Sequence, residues 1–256
     1  MTLSTRDARD AILSVDIGAT LIKFCVLDER GELVEPLQTV PTPYPCPPSR
    51  LIEVVARQID ERDCDRIGVG FPGDMIDGRV LEPGNLARVG GILTPVDSDI
   101  EGQWRDFDLQ GALRAATRRD VRVVNDATLA AYGCAEGHLV ELVFTLGTGF
   151  GIALVVDGRP VKIRDVGAEL FADGDTYDEA LGEPSRARDE ERWRVRLHRA
   201  VVGFIAEFDA DVIHLAGGNA RHVEPADFAD LGVRVVVNDN LATMRGALRL
   251  FSAAIQ

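Results

Sequence analysis

No stretch of this chain is long and apolar enough to cross a membrane. Of its 256 residues, 46% are hydrophobic and 27% are charged, which is the balance of an ordinary globular protein. A membrane-spanning helix needs roughly 20 consecutive apolar residues, and no segment approaches that length. The first ten residues are polar and charged, and a strand-like run follows them directly. We therefore expect no membrane partner, no signal peptide and a cytoplasmic location.

Cysteine is scarce and widely spaced. Its positions show neither the paired spacing of a zinc site nor the density of a disulfide-stapled fold. The four cysteines are Cys25, Cys46, Cys64 and Cys134. We interpret them as reduced thiols with a structural role.

Positive charge is also in short supply. Lysine and arginine number 28 against 42 acidic residues, which gives a formal charge of −14. Binding to nucleic acid or anionic lipid depends on clustered basic residues that meet phosphates. Residues 186–199 carry six arginines on a predicted helix, but Asp189, Glu190 and Glu191 lie among them, so we interpret this segment as a solvated, ion-paired face. The charge balance disfavours nucleic acid and favours a small-molecule partner.

The first part of the chain predicts three strands, a helix and a fourth strand. Apolar runs predict strands over 12–15 and 22–27, joined by Asp16-Ile17-Gly18-Ala19-Thr20, and a third strand over 32–40. The proline-rich segment 41–48 cannot continue a strand or a helix interior. A helix that ends near Ile59 and a buried strand over 66–71 follow it.

The same order of elements returns later in the chain. A strand over 121–124 leads to Asn125-Asp126, and strands over 141–146 and 152–156 then flank Gly147-Thr148-Gly149. A strand over 211–215 ends in another glycine pair, and a helix over 241–254 closes the chain. This internal duplication predicts an α/β fold of two lobes, residues 1–115 and 116–240, with residues 241–256 packing back on the first lobe.

Two glycine-bearing turns between antiparallel strands are suited to holding phosphate. Residues without bulky side chains let the backbone N–H groups approach an anion closely. Either turn alone is better explained as a tight hairpin. Both turns together, at the same place in a duplicated unit, favour a phosphate chain held between two lobes.

Two carboxylates stand at strand ends near these turns. Asp16 ends the first strand and could hold a hydrated Mg²⁺ against phosphate, or it could simply cap the turn. Asp126 follows another strand and could accept the proton of an attacking hydroxyl, or it could be a helix N-cap. The residues alone leave both alternatives open.

Several motifs together resemble the ROK family, which contains sugar kinases, glucokinases and repressors. The similarity runs from Ile12 to about Leu250 and is greatest to the branch with bacterial polyphosphate glucokinases. The motifs that carry it are the proline-rich segment 41–48, Val69-Gly70-Phe71-Pro72-Gly73, Val124-Asn125-Asp126-Ala127, Leu146-Gly147-Thr148-Gly149-Phe150-Gly151 and Gly217-Gly218-Asn219-Ala220-Arg221.

The resemblance implies a two-lobed actin-like ATPase (ribonuclease H-like) fold and a glucokinase-like phosphotransferase. It would move a phosphoryl group from ATP or polyphosphate to a sugar hydroxyl with Mg²⁺, with ATP slightly preferred. Asp126 would be the catalytic base, and Asp16 would hold the metal. The implied sugar-binding residues are Asn85, Asn125, Gly73, Asp165 and Glu169. The implied phosphate- and nucleotide-binding residues are Gly18, Thr20, Lys23, Gly147, Thr148, Gly149, Gly217 and Gly218.

The chain departs from the family pattern at several points. Ala19 replaces the second glycine of the first loop, and Asp165-Val166-Gly167-Ala168 replaces the usual Glu-x-Gly-His of the sugar site. The shorter acid and the missing histidine predict weak glucose phosphorylation and a different sugar or polyol as the acceptor. The cysteine-rich zinc loop of many ROK kinases is missing, so the resemblance implies no metal beyond Mg²⁺. We expect no helix-turn-helix before the first strand, which disfavours the repressor branch.

Three alternatives remain open from the sequence. The departures at Ala19, Asp165 and Ala168 would also suit a kinase relic that binds sugar or nucleotide without catalysis and serves a regulatory role. An ATPase or acetokinase-type member of the same superfold fits the motifs less well. A homodimer is a further alternative to a monomer.

Overall fold

The computed structural model describes residues 11–92, 94–137 and 139–252, and these form two compact units. The first unit contains the described residues up to Leu129 together with those from Met244 onward, and the second unit is Ala130–Thr243. Within the described ranges, no helix combines the length and the apolar character needed to pass through a bilayer.

The described residues of the first unit form eight strands and three complete α-helices. Its strands are β1 (Ile12–Ile17), β2 (Leu21–Leu27), β3 (Gln38–Pro41), β4 (Arg66–Phe71), β5 (Asp74–Ile76), β6 (Arg79–Glu82), β7 (Phe107–Asp108) and β8 (Asp120–Asn125). Its helices are α1 (Pro48–Asp60), α2 (Ser98–Trp104) and α3 (Leu109–Thr117), and α4 (Asp126–Cys134) starts in this unit. The main sheet has the order β3-β2-β1-β4-β8, and β5, β6 and β7 form a smaller sheet.

Strand pairing in the main sheet decides where the predicted site residues lie. β1 pairs antiparallel with β2, so Asp16 lies opposite Lys23. β1 is parallel to β4, and β4 is parallel to β8, with Phe71 opposite Asn125. Because the carboxyl ends of parallel strands meet at one edge of a sheet, the segments that follow these three strands share that edge.

A buried apolar cluster covers one face of this sheet. Leu51, Val55 and Ile59 recur at helical spacing on α1 and pack with inward-facing strand residues such as Leu13 and Val15. Burying side chains of this kind stabilises the unit by roughly 1.5–3 kcal/mol each. The carboxyl edge of the sheet is therefore supported by a well-packed apolar core.

The second unit repeats this architecture. Its strands are β9 (Val140–Leu146), β10 (Phe150–Val156), β11 (Arg159–Val161), β12 (Leu170–Ala172), β13 (Asp175–Thr176), β14 (Val212–Ala216) and β15 (Arg234–Val237). Its helices are α5 (Tyr177–Leu181), α6 (Glu183–Arg188) and α7 (Glu190–Phe208), and α8 (Ala242–Leu250) starts here and ends in the first unit. The sheet order is β11-β10-β9-β14-β15, with β9–β10 and β10–β11 antiparallel and β9–β14 and β14–β15 parallel. The predicted duplication is confirmed.

The duplication extends beyond the strand-loop-strand unit. Each central hairpin, β1–β2 and β9–β10, is joined by three residues, Gly18-Ala19-Thr20 and Gly147-Thr148-Gly149. An Asn-Asp pair lies at the carboxyl end of β8 and of β15 and leads toward a helix. In β8 the asparagine of this pair is Asn125, the last strand residue, whereas Asn238 follows β15.

Two predicted elements differ from the structure. The third strand was predicted over 32–40, but β3 covers only Gln38–Pro41, because Pro36 has no N–H group to donate to a ladder. The closing helix α8 ends at Leu250 instead of 254, and residues 253 and 254 of that prediction lie outside the described residues. Helix α2 has no counterpart among the predicted elements, and its N-cap Asp97 accepts the N–H groups of Asp99 and Ile100.

The arginine-rich segment of α6 and α7 is ion-paired, as its sequence predicts. Arg186 bridges Glu183 and Glu190, and Arg194 contacts Asp227 at 2.8 Å. Arg196 reaches Asp175 on the β12–β13 hairpin at 2.8 Å. Acidic partners therefore neutralise much of this positive surface.

A buried Glu–His pair joins two central strands of the second sheet. Nε2 of His214 on β14 lies 2.7 Å from Oε2 of Glu141 on β9, and both side chains are almost completely buried. Burial raises the pKa of Glu141, but the N–H groups of Glu136 and Gly137 and the His214 ring together hold that pKa below 4.5. The ionised carboxylate thus fixes the turn that precedes β9.

At neutral pH the Glu141→Gln substitution should lower the free energy of unfolding by about 3 kcal/mol. One carboxylate oxygen becomes an NH₂ group, which cannot accept the hydrogen bonds that the buried donors make to Glu141. Because the folded-state pKa of Glu141 is lowered, the stabilisation by its carboxylate is fully present above the ordinary carboxyl pKa and is lost as the pH falls through the lowered folded-state pKa. Urea unfolding of wild type and variant at pH 7 and over a descending series of acidic pH values measures both effects. The matched control Glu207→Gln removes an exposed carboxylate and should cost less than about 1 kcal/mol. Equal losses for the two variants would contradict the assigned role of Glu141.

Candidate active site

A carboxylate and an ammonium group face each other where β1 and β2 meet the first loop. Nζ of Lys23 lies 2.8 Å from Oδ2 of Asp16, whose side chain is 13% exposed. The Asp16 charge is the main cause that raises the pKa of Lys23, and the charge of Asp126 adds to it. Lys23 is therefore protonated at neutral pH. The first unit brings Asp16, Lys23 and Asp126 together.

Asn125 and Asp126, at the end of β8, make different hydrogen bonds. Oδ1 of Asn125 accepts the N–H of Thr128 at 3.1 Å, the capping contact for the start of α4, while its Nδ2 donates to the Gly73 carbonyl at 2.9 Å. Oδ1 of Asp126 accepts the N–H of the next residue, Ala127, at 2.7 Å. Asn125 and Asp126 thus both accept a backbone N–H at the start of α4. Asp126 lies in the first turn of α4, at the positive end of the helix dipole.

The segments after β4 are closely packed. A Cβ on Gly73 would lie 2.1 Å from the Glu82 carbonyl oxygen, so only glycine fits there. Asn85 lies in a short 3-10 helix, and its Oδ1 accepts the Arg88 Nε–H at 2.9 Å. This hydrogen bond fixes the orientation of the Asn85 side-chain amide. The Nδ2 group of Asn85 can therefore donate hydrogen bonds only in a fixed direction.

The first glycine loop tolerates its alanine. A Cβ on Gly18 would approach the Leu21 carbonyl oxygen to 2.8 Å, whereas Ala19 is not among the described non-glycine residues with positive φ. The missing second glycine therefore imposes no left-handed strain. Thr20, the last residue of this loop, has an exposed side chain.

The second glycine loop is anchored from two sides. The Gly147 carbonyl accepts hydrogen bonds from Nδ2 of Asn219 at 3.1 Å and from the Glu183 N–H at 2.9 Å. Oδ1 of Asp178 accepts the Phe150 N–H at 2.8 Å, directly after the loop. Thr148, at the tip of the loop, is exposed.

The third glycine segment lies directly on the second loop. Gly217 has φ of 86°, and a Cβ there would lie 2.5 Å from the Leu146 carbonyl oxygen. The same carbonyl accepts the Asn219 N–H at 2.9 Å. No atom comes within 4 Å of a Cβ placed on Gly218, so there is space for a ligand beside the backbone at this position.

The predicted sugar-binding acids of the second unit already have protein partners. Oδ1 of Asp165 accepts the N–H of Gly167 at 2.9 Å within its own turn. Glu169 pairs with Arg164 at 3.0 Å, and Arg164 also contacts Glu207. Each carboxylate keeps lone pairs for a ligand, but its position is set by these internal contacts.

Asp178 connects this segment with the second glycine loop, and sequence reasoning did not single it out. Its carboxylate binds the Phe150 N–H, and its own N–H donates to the Gly167 carbonyl at 2.9 Å. Asn219 and Arg88 were likewise missed as residues that orient predicted site residues. Asn219 lies in the motif Gly217-Gly218-Asn219-Ala220-Arg221, but the motif does not indicate which residue its side chain contacts.

The residues suit a metal ion that arrives with phosphate better than one in a protein-built cage. The described residues contain no group of three or more His, Cys, Asp or Glu side chains that could hold an ion. Mg²⁺ is commonly bound by one or two carboxylates, substrate phosphates and water. The partly buried Asp16 is one such carboxylate, and its Oδ2 is paired with Lys23.

The two glycines of the second loop should respond differently to alanine. A Cβ on Gly149 would lie 2.4 Å from Oδ1 of Asp178, whereas no atom comes within 4 Å of one on Gly147. Gly149→Ala must push Asp178 off the Phe150 N–H, and we expect a loss of about 1–3 kcal/mol in unfolding free energy. Gly147→Ala is the control and should leave stability within about 0.5 kcal/mol. Thermal and urea unfolding of both variants compare them, and equal losses would argue against the Asp178 anchor.

Comparison with known protein sequences gives one family and several kinases. The model of the ROK family matches residues 12–167, which is more than half of the chain. A glucokinase of Halalkalibacterium halodurans is 30% identical over 163 residues, covering 57% of this chain and 44% of that protein. An N-acetyl-D-glucosamine kinase of Photobacterium profundum is 31% identical over 153 residues, covering 56% and 46%. The chain thus spans a little under half the length of the curated relatives it matches.

Comparison of structures covers nearly the whole chain. The crystal structure of an inorganic polyphosphate/ATP-glucomannokinase from Arthrobacter sp. strain KM is 28% identical, with a TM-score of 0.77, over 94% of this chain and 98% of that one. The two units with their duplicated strand-loop-strand elements form the predicted actin-like ATPase (ribonuclease H-like) fold. With a family model that covers more than half of its length and a fold to match, the chain belongs to the ROK family.

Proposed function

We propose that this protein is a sugar kinase that transfers a phosphoryl group from ATP or polyphosphate to a sugar hydroxyl. The observation that carries the proposal is the group formed by Asp126, Asp16 and Lys23 beside the first glycine loop. Phosphoryl transfer needs a base for the attacking hydroxyl and positive groups for the phosphates, and this group has both. The related proteins named glucokinase and glucomannokinase support the same reaction class.

Asp126 is the proposed general base. Its carboxylate accepts the proton of the sugar hydroxyl as that oxygen bonds to the terminal phosphorus, and the bond from phosphorus to the bridging oxygen of the donor breaks. Asn125 caps α4 and binds Gly73, and so keeps the base in place. The Lys23 ammonium group stabilises the negative charge that develops on the phosphoryl oxygens.

The glycine loops are the proposed donor site. Gly18 and Thr20 on one loop and Gly147, Thr148 and Gly149 on the other would offer backbone N–H groups to the phosphates. Gly217 and Gly218 would lie on the adenine side when ATP is the donor. Asp16 would hold Mg²⁺, which when bound neutralises phosphate charge.

Five residues are proposed to bind the acceptor. They are Asn85, Asn125, Gly73, Asp165 and Glu169. Asp165 is already bound to the Gly167 N–H and Glu169 to Arg164, which supports weak recognition of glucose and a preference for another sugar or polyol. We further propose that the protein acts in the cytoplasm, and we keep the homodimer as an alternative to a monomer.

Asp126→Asn should fold and bind donor normally while kcat falls about 10²–10⁴-fold, because the amide cannot accept the proton. Asp120→Asn is the matched control, since Asp120 lies at the opposite end of the same strand, exposed and paired with Arg114. It should keep wild-type turnover. Steady-state rates and donor affinity are the measurements. Near wild-type activity of Asp126→Asn would show that this residue is not the base.

A sugar panel assayed with Mg²⁺ and either ATP or polyphosphate tests the reaction and its acceptor. We expect turnover with at least one sugar or polyol, a slight preference for ATP, and weak or no turnover of glucose. The double variant Asp165→Glu with Ala168→His should raise glucose activity, because it restores a longer acid and an imidazole donor. A submillimolar glucose KM in the wild type would overturn the acceptor prediction. Donor or sugar binding without any turnover would favour the non-catalytic relic.

A further inference from the structure

The three carbonyl groups of the first glycine loop all bind one short segment of the chain. Oγ1 of Thr42 donates to the Gly18 carbonyl at 2.7 Å, and the Thr42 N–H donates to the Thr20 carbonyl at 3.0 Å. The Tyr44 hydroxyl donates to the carbonyl between them, that of Ala19, at 2.8 Å. Every peptide unit that follows a loop residue is therefore fixed by its oxygen.

Fixing the oxygens also fixes the N–H groups. In a trans peptide the C=O and N–H bonds point in opposite directions, and Tyr44-Pro45 is the one cis bond among the described residues. The carbonyls of Gly18 and Ala19 face Thr42 and Tyr44, so the N–H groups of Ala19 and Thr20 face away from that segment. Two adjacent N–H groups directed to one side form a cradle for an anion.

We propose that Thr42 and Tyr44 are positioning residues that aim the backbone N–H groups of the first loop at the donor phosphate. This inference rests on the proposed phosphotransferase function. In this proposal each side chain acts through a carbonyl of the loop. The arrangement costs nothing at the moment of reaction, since the dipoles are oriented before phosphate arrives.

The segment itself is suited to holding a fixed position. Thr42 is 6% exposed and lies between Pro41 and Pro43, whose rings restrict the backbone. Burial raises the pKa of Tyr44 to about 12, so its hydroxyl keeps its proton and remains a donor. The same hydroxyl lies 3.3 Å from the Asn85 carbonyl oxygen. Tyr44 therefore also joins the loop to the segment proposed to contact the sugar.

The second loop supports the inference by analogy within the chain. Its Gly147 carbonyl is likewise held by protein donors, the Asn219 amide and the Glu183 N–H. Different residues thus hold the equivalent carbonyl in the duplicated unit. Fixing a carbonyl is a feature that the two loops share although their sequences differ.

The test compares Thr42→Val and Tyr44→Phe with Thr42→Ser, which keeps the hydroxyl, and with Tyr177→Phe, which removes a hydroxyl from the second unit. Two readouts are used: steady-state kinetics, and calorimetric titration with inorganic tripolyphosphate and with a non-hydrolysable ATP analogue. We expect donor KM and donor Kd to rise about tenfold in Thr42→Val and Tyr44→Phe. The acceptor KM of Thr42→Val, the donor KM of Thr42→Ser and all constants of Tyr177→Phe should stay within about twofold of wild type.

The outcomes separate this inference from the proposed function. A wild-type protein that binds a donor but phosphorylates no acceptor would refute the kinase function, while the donor Kd values of the variants would still decide the inference. Unchanged donor Kd in both Thr42→Val and Tyr44→Phe would overturn the inference and leave the function standing. Equal rises of donor and acceptor KM, together with a lower melting temperature in Thr42→Ser as well, would reduce Thr42 to a structural role. A wild type that binds neither donor would overturn both.

Discussion

The parallel pairing of β1, β4 and β8 is the constraint on which the candidate site depends. It lines up three strand ends, so that Asp16, Gly73 and Asp126 emerge at one edge of a buried sheet although they are far apart in the chain. A buried apolar cluster holds this sheet from one face. Because a slip of one residue would turn every side chain to the opposite face, the register itself delivers Asp16 to Lys23 and Asn125 to the Gly73 carbonyl.

The same backbone plan serves the second unit with different side chains. Both sheets place a three-residue loop between antiparallel strands, and both fix loop carbonyls from a segment outside the hairpin. In the first unit a proline-bounded threonine and a tyrosine do this, and in the second an asparagine amide and a backbone N–H do it. The two units share the arrangement of strands and loops, but different residues orient the loop in each unit.

Several arginines on α6 and α7 have acidic partners. The acidic excess is set against arginines on α6 and α7, several of which bridge carboxylates on neighbouring segments. Exposed pairs of this kind contribute about 0–1 kcal/mol each, so they orient surface segments more than they stabilise the fold. Lys23 is different in function, because its partner Asp16 and the nearby Asp126 belong to the group proposed for catalysis.

The sequence by itself determined the family, the α/β class and the duplicated hairpins, because glycine turns, alternating apolar runs and strand-end carboxylates are local signals. It misplaced β3 and missed α2, where Pro36 and the Asp97 cap outweigh the apolar pattern. Only the tertiary structure decided which groups touch. Thr42 meets Gly18 across 24 positions, Asp178 meets Phe150 across 28, and His214 meets Glu141 across 73. Such contacts depend on strand register and chain packing, which no single segment of sequence encodes.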